Sequence, residues 1–405
     1  MRKILKIFAW ILGILLGILL LNLIIALIIF PSEYIRRIFV FGESNYNTYM
    51  DAFPHSWMQA SPEPFYFDQD YDENRVSALF EDIFEVDNLE TYLEELDTQA
   101  FIVIQDDKIR YEKYFNDVQR DTLLTSFSVA KSFTSALIGI AIEEGYINSV
   151  DDPITDYLPE LSERDQRFEA ITIRHLLMMA SGLDFQEDSP GIFYGDGALT
   201  TYHPDQRHAS LQYTDIKDAP GEYFQYNKYH PQLLGITLER ATGTSVTNYM
   251  QEKLWDPLGM EFDGSWSLDS NESGFEKMEA GLNARAIDFA KFGRLFLNGG
   301  EWNGEQVIPS DWVQDSVIID RSTQNSSYYP DEFGQKIFHL NGYYKYMWYG
   351  YLRGDSGYDF AAEGDHGQFI YVSPQKNLII VRNGLEYGIP WDEWIKSFYI
   401  FASNL

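Results

Sequence analysis

The chain has 405 residues and a mass of 47.0 kDa, with 45% hydrophobic and 23% charged residues, a composition that argues against disorder as its main state. Its 30 Lys and Arg stand against 62 Asp and Glu, and this net charge of −32 argues against a nucleic-acid partner. No cysteine is present, which excludes disulfides, cysteine-ligated metals and a cysteine nucleophile.

The first predicted element is a membrane-spanning helix. Residues 7–30 contain no charged side chain, and 24 residues at about 1.5 Å each span more than the ~30 Å of a bilayer core. The run ends without a small-residue cleavage site, so we interpret it as an uncleaved signal anchor. Basic side chains number three before it and two after it, which favours residues 1–6 in the cytoplasm and a single-pass protein whose catalytic body is extracytoplasmic.

The segment after the anchor divides into a connector and a body. Residues 31–77 are rich in Pro, Tyr, Phe and Asp without a clean periodicity, and we predict that they pack on a single domain at residues 78–405. In that domain, β-rich runs at 100–104 and 109–115 predict a hairpin, and strands are predicted at 368–372 and 377–381. Apolar spacing predicts helices at 89–96, 127–144, 171–180, 231–241, 286–297 and 391–401.

This order of elements predicts an α+β fold. Strands at both ends of the body indicate an antiparallel sheet built from N- and C-terminal strands and flanked by helices. The helices between them indicate an inserted, mostly helical region. The transmembrane helix precedes this domain.

The strongest chemical signal is a serine and a lysine at the start of an apolar helix. Ser128 and Lys131 are three residues apart, so they share one face of the helix. A serine hydroxyl is a weak nucleophile until a base takes its proton, and a desolvated lysine can be that base. Alone, this S-x-x-K motif is common, and Ser128 could equally be a helix cap.

Two further segments belong with this pair. Tyr226 follows a Pro-Gly turn and precedes a predicted helix, and its tyrosinate could accept the Ser128 proton, although a packed aromatic residue would look the same. In the segment 364–368, a glycine-rich stretch enters a predicted strand. The backbone N–H groups of Ser128 and Gln368 could there form an oxyanion hole.

Other catalytic classes find no support. The sequence has no G-x-S-x-G elbow, no HExxH and no Walker loop. Its seven histidines lack the close spacing of metal ligands. We therefore expect neither a metal nor a cofactor.

In order and spacing, Ser128-x-x-Lys131, Tyr226 and the segment 364–368 resemble the serine β-lactamase-like hydrolases. That family includes class C β-lactamases, DD-peptidases, esterases and 6-aminohexanoate-dimer hydrolases, and the resemblance covers roughly residues 78–405. It implies an acyl-enzyme mechanism with Ser128 as nucleophile, Lys131 as its partner and Tyr226 as acid/base. It also implies an oxyanion hole at Ser128 and Gln368.

The departures from the family pattern concern substrate binding. The class C motif Tyr-x-Asn becomes Tyr226-Asn227-Lys228, and the Lys-Thr-Gly strand becomes Asp365-His366-Gly367. We expect these five residues, Asn227, Lys228, Asp365, His366 and Gly367, to contact the substrate. An aspartate in place of the lysine that helps hold a penicillin carboxylate would repel that group.

The sequence therefore predicts a membrane-anchored serine hydrolase that cleaves an ester or amide bond in a small or peptide-like substrate. Two alternatives stay open. One is a penicillin-interacting DD-peptidase or β-lactamase, and the other is a non-catalytic sensor of a cell-wall ligand on the same fold. The natural substrate and the oligomeric state are not predicted.

Overall fold

In the computed structural model, which describes residues 2–42, 45–187, 193–319, 323–354 and 357–405, the apolar N-terminal segment forms the helix α1 (Arg2–Ile29). Its spanning window has a mean hydropathy of 3.0 and is almost entirely exposed. Its length and composition suit a membrane span, and such helices occur both in anchors and in signal sequences.

The body combines short helices with two principal sheets. The helices after α1 are α2 (Ser32–Phe41), α3 (Tyr46–Asp51), α4 (Glu73–Phe84), α5 (Leu89–Glu95), α6 (Ala130–Glu143), α7 (Pro159–Arg164), α8 (Ile173–Leu177), α9 (Asp196–Tyr202), α10 (Gln206–Gln212), α11 (Tyr229–Thr242), α12 (Val246–Met250), α13 (Ala286–Leu297), α14 (Ser310–Val317), α15 (Glu332–His339) and α16 (Trp391–Asn404). The strands are β1 (His55–Met58), β2 (Asp68–Gln69), β3 (Thr98–Gln105), β4 (Lys108–Tyr114), β5 (Leu124–Thr125), β6 (Gly264–Ser267), β7 (Leu282–Ala284), β8 (Glu301–Trp302), β9 (Glu305–Gln306), β10 (Gly342–Lys345), β11 (Trp348–Arg353), β12 (Gly357–Gly364), β13 (Gln368–Ser373) and β14 (Leu378–Gly384).

The large sheet joins the two ends of the body, as predicted. Its order is β10-β11-β12-β13-β14-β3-β4-β2, and β14 pairs antiparallel with β3. Helix α13 packs closely on one face, where Gly293 lies against Ile370 and Ile379. Helices α4 and α16 meet each other through the stacked rings of Phe80 and Phe401, 4.3 Å apart. The α+β fold with an inserted helical region is confirmed.

A second sheet of four short strands leads into the turn that carries Ser128. Its order is β1-β6-β7-β5, so its two edges come from the connector and from the strand that precedes Ser128. The segment 31–77 thus contributes the strands β1 and β2 to the two sheets, as well as helices α2 and α3.

Two predicted helices differ from the observed ones. The helix predicted at 127–144 begins as a 3₁₀ turn at Phe127–Val129 before α6. The helix predicted at 171–180 is the shorter α8, because Met179 adopts a positive φ of 54° that ends the helical path. Helix α13 covers the predicted residues without a difference.

Candidate active site

Ser128 lies on a tight turn between β5 and α6. Phe127, directly before it, has a φ of 44°, which is a strained conformation for a non-glycine residue. The 3₁₀ turn at Phe127–Val129 then continues into α6. Ser128 is partly exposed, whereas Lys131, one turn further on, is buried.

The side-chain nitrogen of Lys131 lies between the Ser128 hydroxyl and a backbone carbonyl. Its Nζ lies 2.8 Å from Ser128 Oγ and 2.5 Å from the carbonyl oxygen of Glu279. Burial lowers the pKa of Lys131 to about 7, although the nearby Glu279 carboxylate acts to raise it. A large fraction of this amine is therefore uncharged at neutral pH and can accept a proton.

Tyr226 completes the group. Its ring centroid lies 5.1 Å from Lys131 Nζ, and its side chain lines the same cavity as Ser128 and Tyr349. Burial raises the pKa of Tyr226, so the phenol stays protonated at neutral pH. At neutral pH the group available as a base is therefore Lys131, whereas Tyr226 is present in its protonated form.

Ser128 and Tyr226 line a cavity of about 460 Å³, and Lys131 lies buried behind Ser128. Its aromatic lining residues are Phe185, Tyr226, Phe333, Tyr349, Tyr387 and Trp391. Its charged lining residues are Glu187, Lys228, Asp331, Glu363 and Asp365. Among the lining residues that the structure describes, carboxyl groups thus outnumber amines, and Lys228 is already paired with Glu187.

The strand that lies against the nucleophile is β12. A Cβ placed on Gly364, its last residue, would lie 2.4 Å from the Ser126 carbonyl oxygen and 3.0 Å from the Ser128 nitrogen. Only a residue without a side chain allows this approach. The cavity wall continues with Asp365, whose backbone follows the edge of β12 next to Ser128.

Gln368 is not among the described residues that line the cavity. Gln368 begins β13 and is 1% exposed. Its side chain bonds to the Gly384 carbonyl at 2.6 Å and to Asn383 at 2.9 Å. A tight turn at Asp365–Gly367 separates Gln368 from the end of β12 that lies beside Ser128.

The five predicted substrate contacts divide into two groups. Lys228 and Asp365 line the cavity. Asn227 is fully buried, and its Oδ1 accepts from the N–H of Tyr229, the first residue of α11, at 2.8 Å. His366 contacts the Phe127 ring and pairs with Glu386, and the Gly367 carbonyl accepts from Arg382 at 2.7 Å, so both support the turn.

Glu363 is a lining residue that the sequence did not reveal. Its carboxylate accepts hydrogen bonds from the Tyr351 hydroxyl and, at 2.6 Å, from Trp391 Nε1. Burial raises the pKa of Glu363 to about 8. The only signal available was its place directly before the glycine-rich stretch, since its partners lie 12 and 28 residues away. No cluster of metal-ligating side chains occurs within the described ranges.

Comparison with known proteins agrees with this geometry. The profile of the family described as Beta-lactamase matches residues 86–383. The chain belongs to the β-lactamase family.

Within the β-lactamase family, a 6-aminohexanoate-dimer hydrolase of Paenarthrobacter ureafaciens is 27% identical to this chain over 309 residues, covering 73% of this chain and 74% of the relative. A solved structure from Bacillus anthracis, provisionally assigned as a 6-aminohexanoate-dimer hydrolase, superposes with a TM-score of 0.72 at 22% identity and covers 88% of this chain and 92% of its own. A class C β-lactamase superposes with a TM-score of 0.58 at 15% identity, covering 82% and 97%. These two structures establish the β-lactamase-like fold, and the predicted resemblance is confirmed.

Proposed function

We propose that this protein is a membrane-anchored serine hydrolase that cleaves ester or amide bonds through an acyl-enzyme on Ser128. The observation that carries the proposal is the 2.8 Å contact between Ser128 Oγ and a buried lysine whose pKa falls to about 7. Few structural roles require a desolvated amine to face a hydroxyl in a cavity. The 6-aminohexanoate-dimer hydrolase among the relatives supports hydrolysis of a linear amide as one form of this activity.

In the proposed acylation, the neutral Lys131 amine takes the Ser128 proton as Oγ bonds to the substrate carbonyl carbon. The negative charge on the carbonyl oxygen is stabilised by the backbone N–H groups of Ser128 and Asp365. Tyr226 gives its phenolic proton to the leaving oxygen or nitrogen as that bond breaks. Transfer of the ammonium proton of Lys131 to the phenolate restores both groups.

Deacylation repeats these steps with water as the nucleophile. Lys131 accepts a proton from the water as its oxygen bonds to the acyl carbon. Tyr226 returns a proton to Ser128 Oγ as the acyl–oxygen bond breaks. The products are the acid and the free enzyme.

The cavity favours neutral or cationic substrates. Asp365 and Asp331 face it, and the lining amine Lys228 is neutralised by Glu187. A penicillin carboxylate would meet negative charge there. This disfavours the DD-peptidase and β-lactamase alternative, while the intact group of Ser128, Lys131 and Tyr226 disfavours a sensor without turnover.

The test is turnover of a neutral p-nitrophenyl ester and of a small amide panel by the full-length protein in detergent, together with labelling by a fluorophosphonate. We expect turnover and a single labelled residue, Ser128. Labelling without turnover would support the sensor, and faster hydrolysis of nitrocefin than of the ester would support a β-lactamase.

We also propose that α1 anchors the protein in the cell membrane with the body on the extracytoplasmic side. The expected result is an intact N-terminus on protein extracted from membranes, and digestion of the body by a protease added outside intact spheroplasts. An N-terminus beyond residue 30 would show a cleaved signal sequence instead.

A further inference from the structure

A buried ion pair lies directly behind the proposed base. Lys277 and Glu279 are 0% and 1% exposed, and Lys277 Nζ lies 2.7 Å from a Glu279 carboxylate oxygen. The other carboxylate oxygen accepts from Gln232 Nε2 at 2.6 Å. The carbonyl of the same Glu279 is the 2.5 Å partner of Lys131 Nζ. The position of Glu279 therefore fixes one of the two contacts that hold Lys131.

Two aromatic side chains of the connector, Tyr49 and Phe53, cover this ion pair. Lys277 Nζ lies 4.5 Å from the ring centroid of Phe53 and 5.4 Å from that of Tyr49. The Tyr49 hydroxyl lies 3.4 Å from the Glu279 carboxylate. Both rings are nearly fully buried, so they separate the pair from water.

The same connector segment supports the nucleophile. The Tyr49 ring packs edge-on against Phe127, with centroids 5.3 Å apart. Phe127 is the strained residue that directly precedes Ser128. The connector strand β1 is also an edge of the sheet whose other edge, β5, leads into this turn. Tyr49 and Phe53 lie outside residues 86–383, the part matched by the family profile.

We propose that the connector is a working part of this active site, in which Tyr49 and Phe53 are positioning residues that keep the Lys277–Glu279 pair dry and hold Lys131 against Ser128. The inference rests on the proposed function. On this proposal, the domain matched by the family profile needs residues of the connector to be a complete catalyst.

The direction of the effect follows from the groups around Lys131. Its charged neighbours are Glu279, Lys228, Glu187 and Asp365, and the pair behind it is also influenced by Arg37 and Asp269. Burial is the largest cause of its lowered pKa. Water admitted by loss of a covering ring weakens that cause, so the pKa of Lys131 rises and less of the amine is neutral at pH 7.

The experiment measures kcat/KM for a p-nitrophenyl ester against pH in full-length Tyr49→Ala and Phe53→Ala proteins. Rates are normalised to fluorophosphonate-titrated sites. We expect the acid limb to move upward by about one pH unit, which is about a tenfold loss of kcat/KM below pH 7. The loss falls on kcat with little change in KM, since no substrate contact is removed.

Three controls make the result specific. Tyr49→Phe keeps the ring and restores a profile near that of the wild type. Tyr66→Ala removes an exposed connector tyrosine and leaves the profile unchanged. Glu279→Gln removes the negative charge that raises the pKa of Lys131, so it moves the limb to lower pH. If an alanine variant does not fold, Phe53→Leu supplies the same readout with a smaller cavity.

Different results would contradict the proposed function and the role of the connector. A wild-type protein that hydrolyses no ester or amide overturns the proposed function. A wild-type protein that is active with an acid limb near pH 7, but whose Tyr49→Ala and Phe53→Ala variants share that limb, overturns only the role of the connector.

Discussion

Two buried lysines, Lys131 and Lys291, differ in whether a carboxylate contacts the side-chain nitrogen. Lys131 contacts a hydroxyl and a carbonyl, and its Nζ has no carboxylate in direct contact among the described side chains. Lys291, in α13, lies 3.0 Å from Asp288 and 3.5 Å from Glu261. Burial lowers the pKa of both, but two carboxylates oppose it at Lys291. A lysine that is buried without a contacting carboxylate, such as Lys131, is suited to act as a base. A lysine that is buried in contact with carboxylates, such as Lys291, is suited to act as a structural cation.

The sharpest way to break this comparison is to remove each partner of the reactive pair. Ser128→Ala and Lys131→Met should each lower kcat by about 10³-fold or more, and the double variant should lose little beyond either single one, because the two groups act together. Steady-state kinetics with the p-nitrophenyl ester measure this. Substantial turnover by Ser128→Ala would contradict the mechanism.

The structural lysine should behave in the opposite way. Lys291→Met leaves Asp288 buried without its cation, whereas Glu261 keeps its ion pair with Arg120, and we expect a loss of about 3–5 kcal/mol in the free energy of unfolding. The activity of each titrated site should be unchanged. Chemical denaturation measures the loss, and the double variant Lys291→Met/Asp288→Asn should recover part of it. An equal stability in the single variant would show that the ion pair contributes nothing.

Protonation of Lys131 should govern the pH dependence of the wild type. The neutral amine is the active form, so kcat/KM should fall by about tenfold per pH unit below pH 7. The folded-state pKa of about 7 lies below the unfolded value of about 10.4, so the unfolded chain binds more protons between them. Stability contributed by this group therefore rises with pH across that window. Lys131→Met should lack this rise, which urea denaturation at pH 7 and pH 9 would detect.

The smallest expected effect concerns Asp365. Its side chain is exposed, so reversing its charge changes the energy of a carboxylate about 4 Å away by only about 1–2 kcal/mol. Asp365→Lys should therefore raise kcat/KM for nitrocefin by roughly tenfold relative to that for the neutral ester, with both measured above pH 8, where Lys131 is neutral in either protein. An unchanged nitrocefin rate would mean that the side chain does not face the bound anion.

Sequence reasoning reached the features that depend on near neighbours. Helix α13 was predicted from its apolar spacing, and Ser128 and Lys131 meet because three residues bring them to one helix face. It did not show that Gly364 lies against Ser128, because these two residues are far apart in the chain. It did not resolve the role of the connector for the same reason, since Tyr49 and Glu279 are 230 residues apart.

The close approach of Gly364 to the nucleophile also limits how this sequence can change over time. A Cβ at this position would lie 2.4 Å from the Ser126 carbonyl oxygen, so any substitution of Gly364 would displace the turn that carries Ser128. We expect the position to stay fixed in a deep mutational scan while its neighbours vary. Selection would keep glycine at this position because no side chain fits there. In an alignment, such a position would look as conserved as one whose side chain reacts.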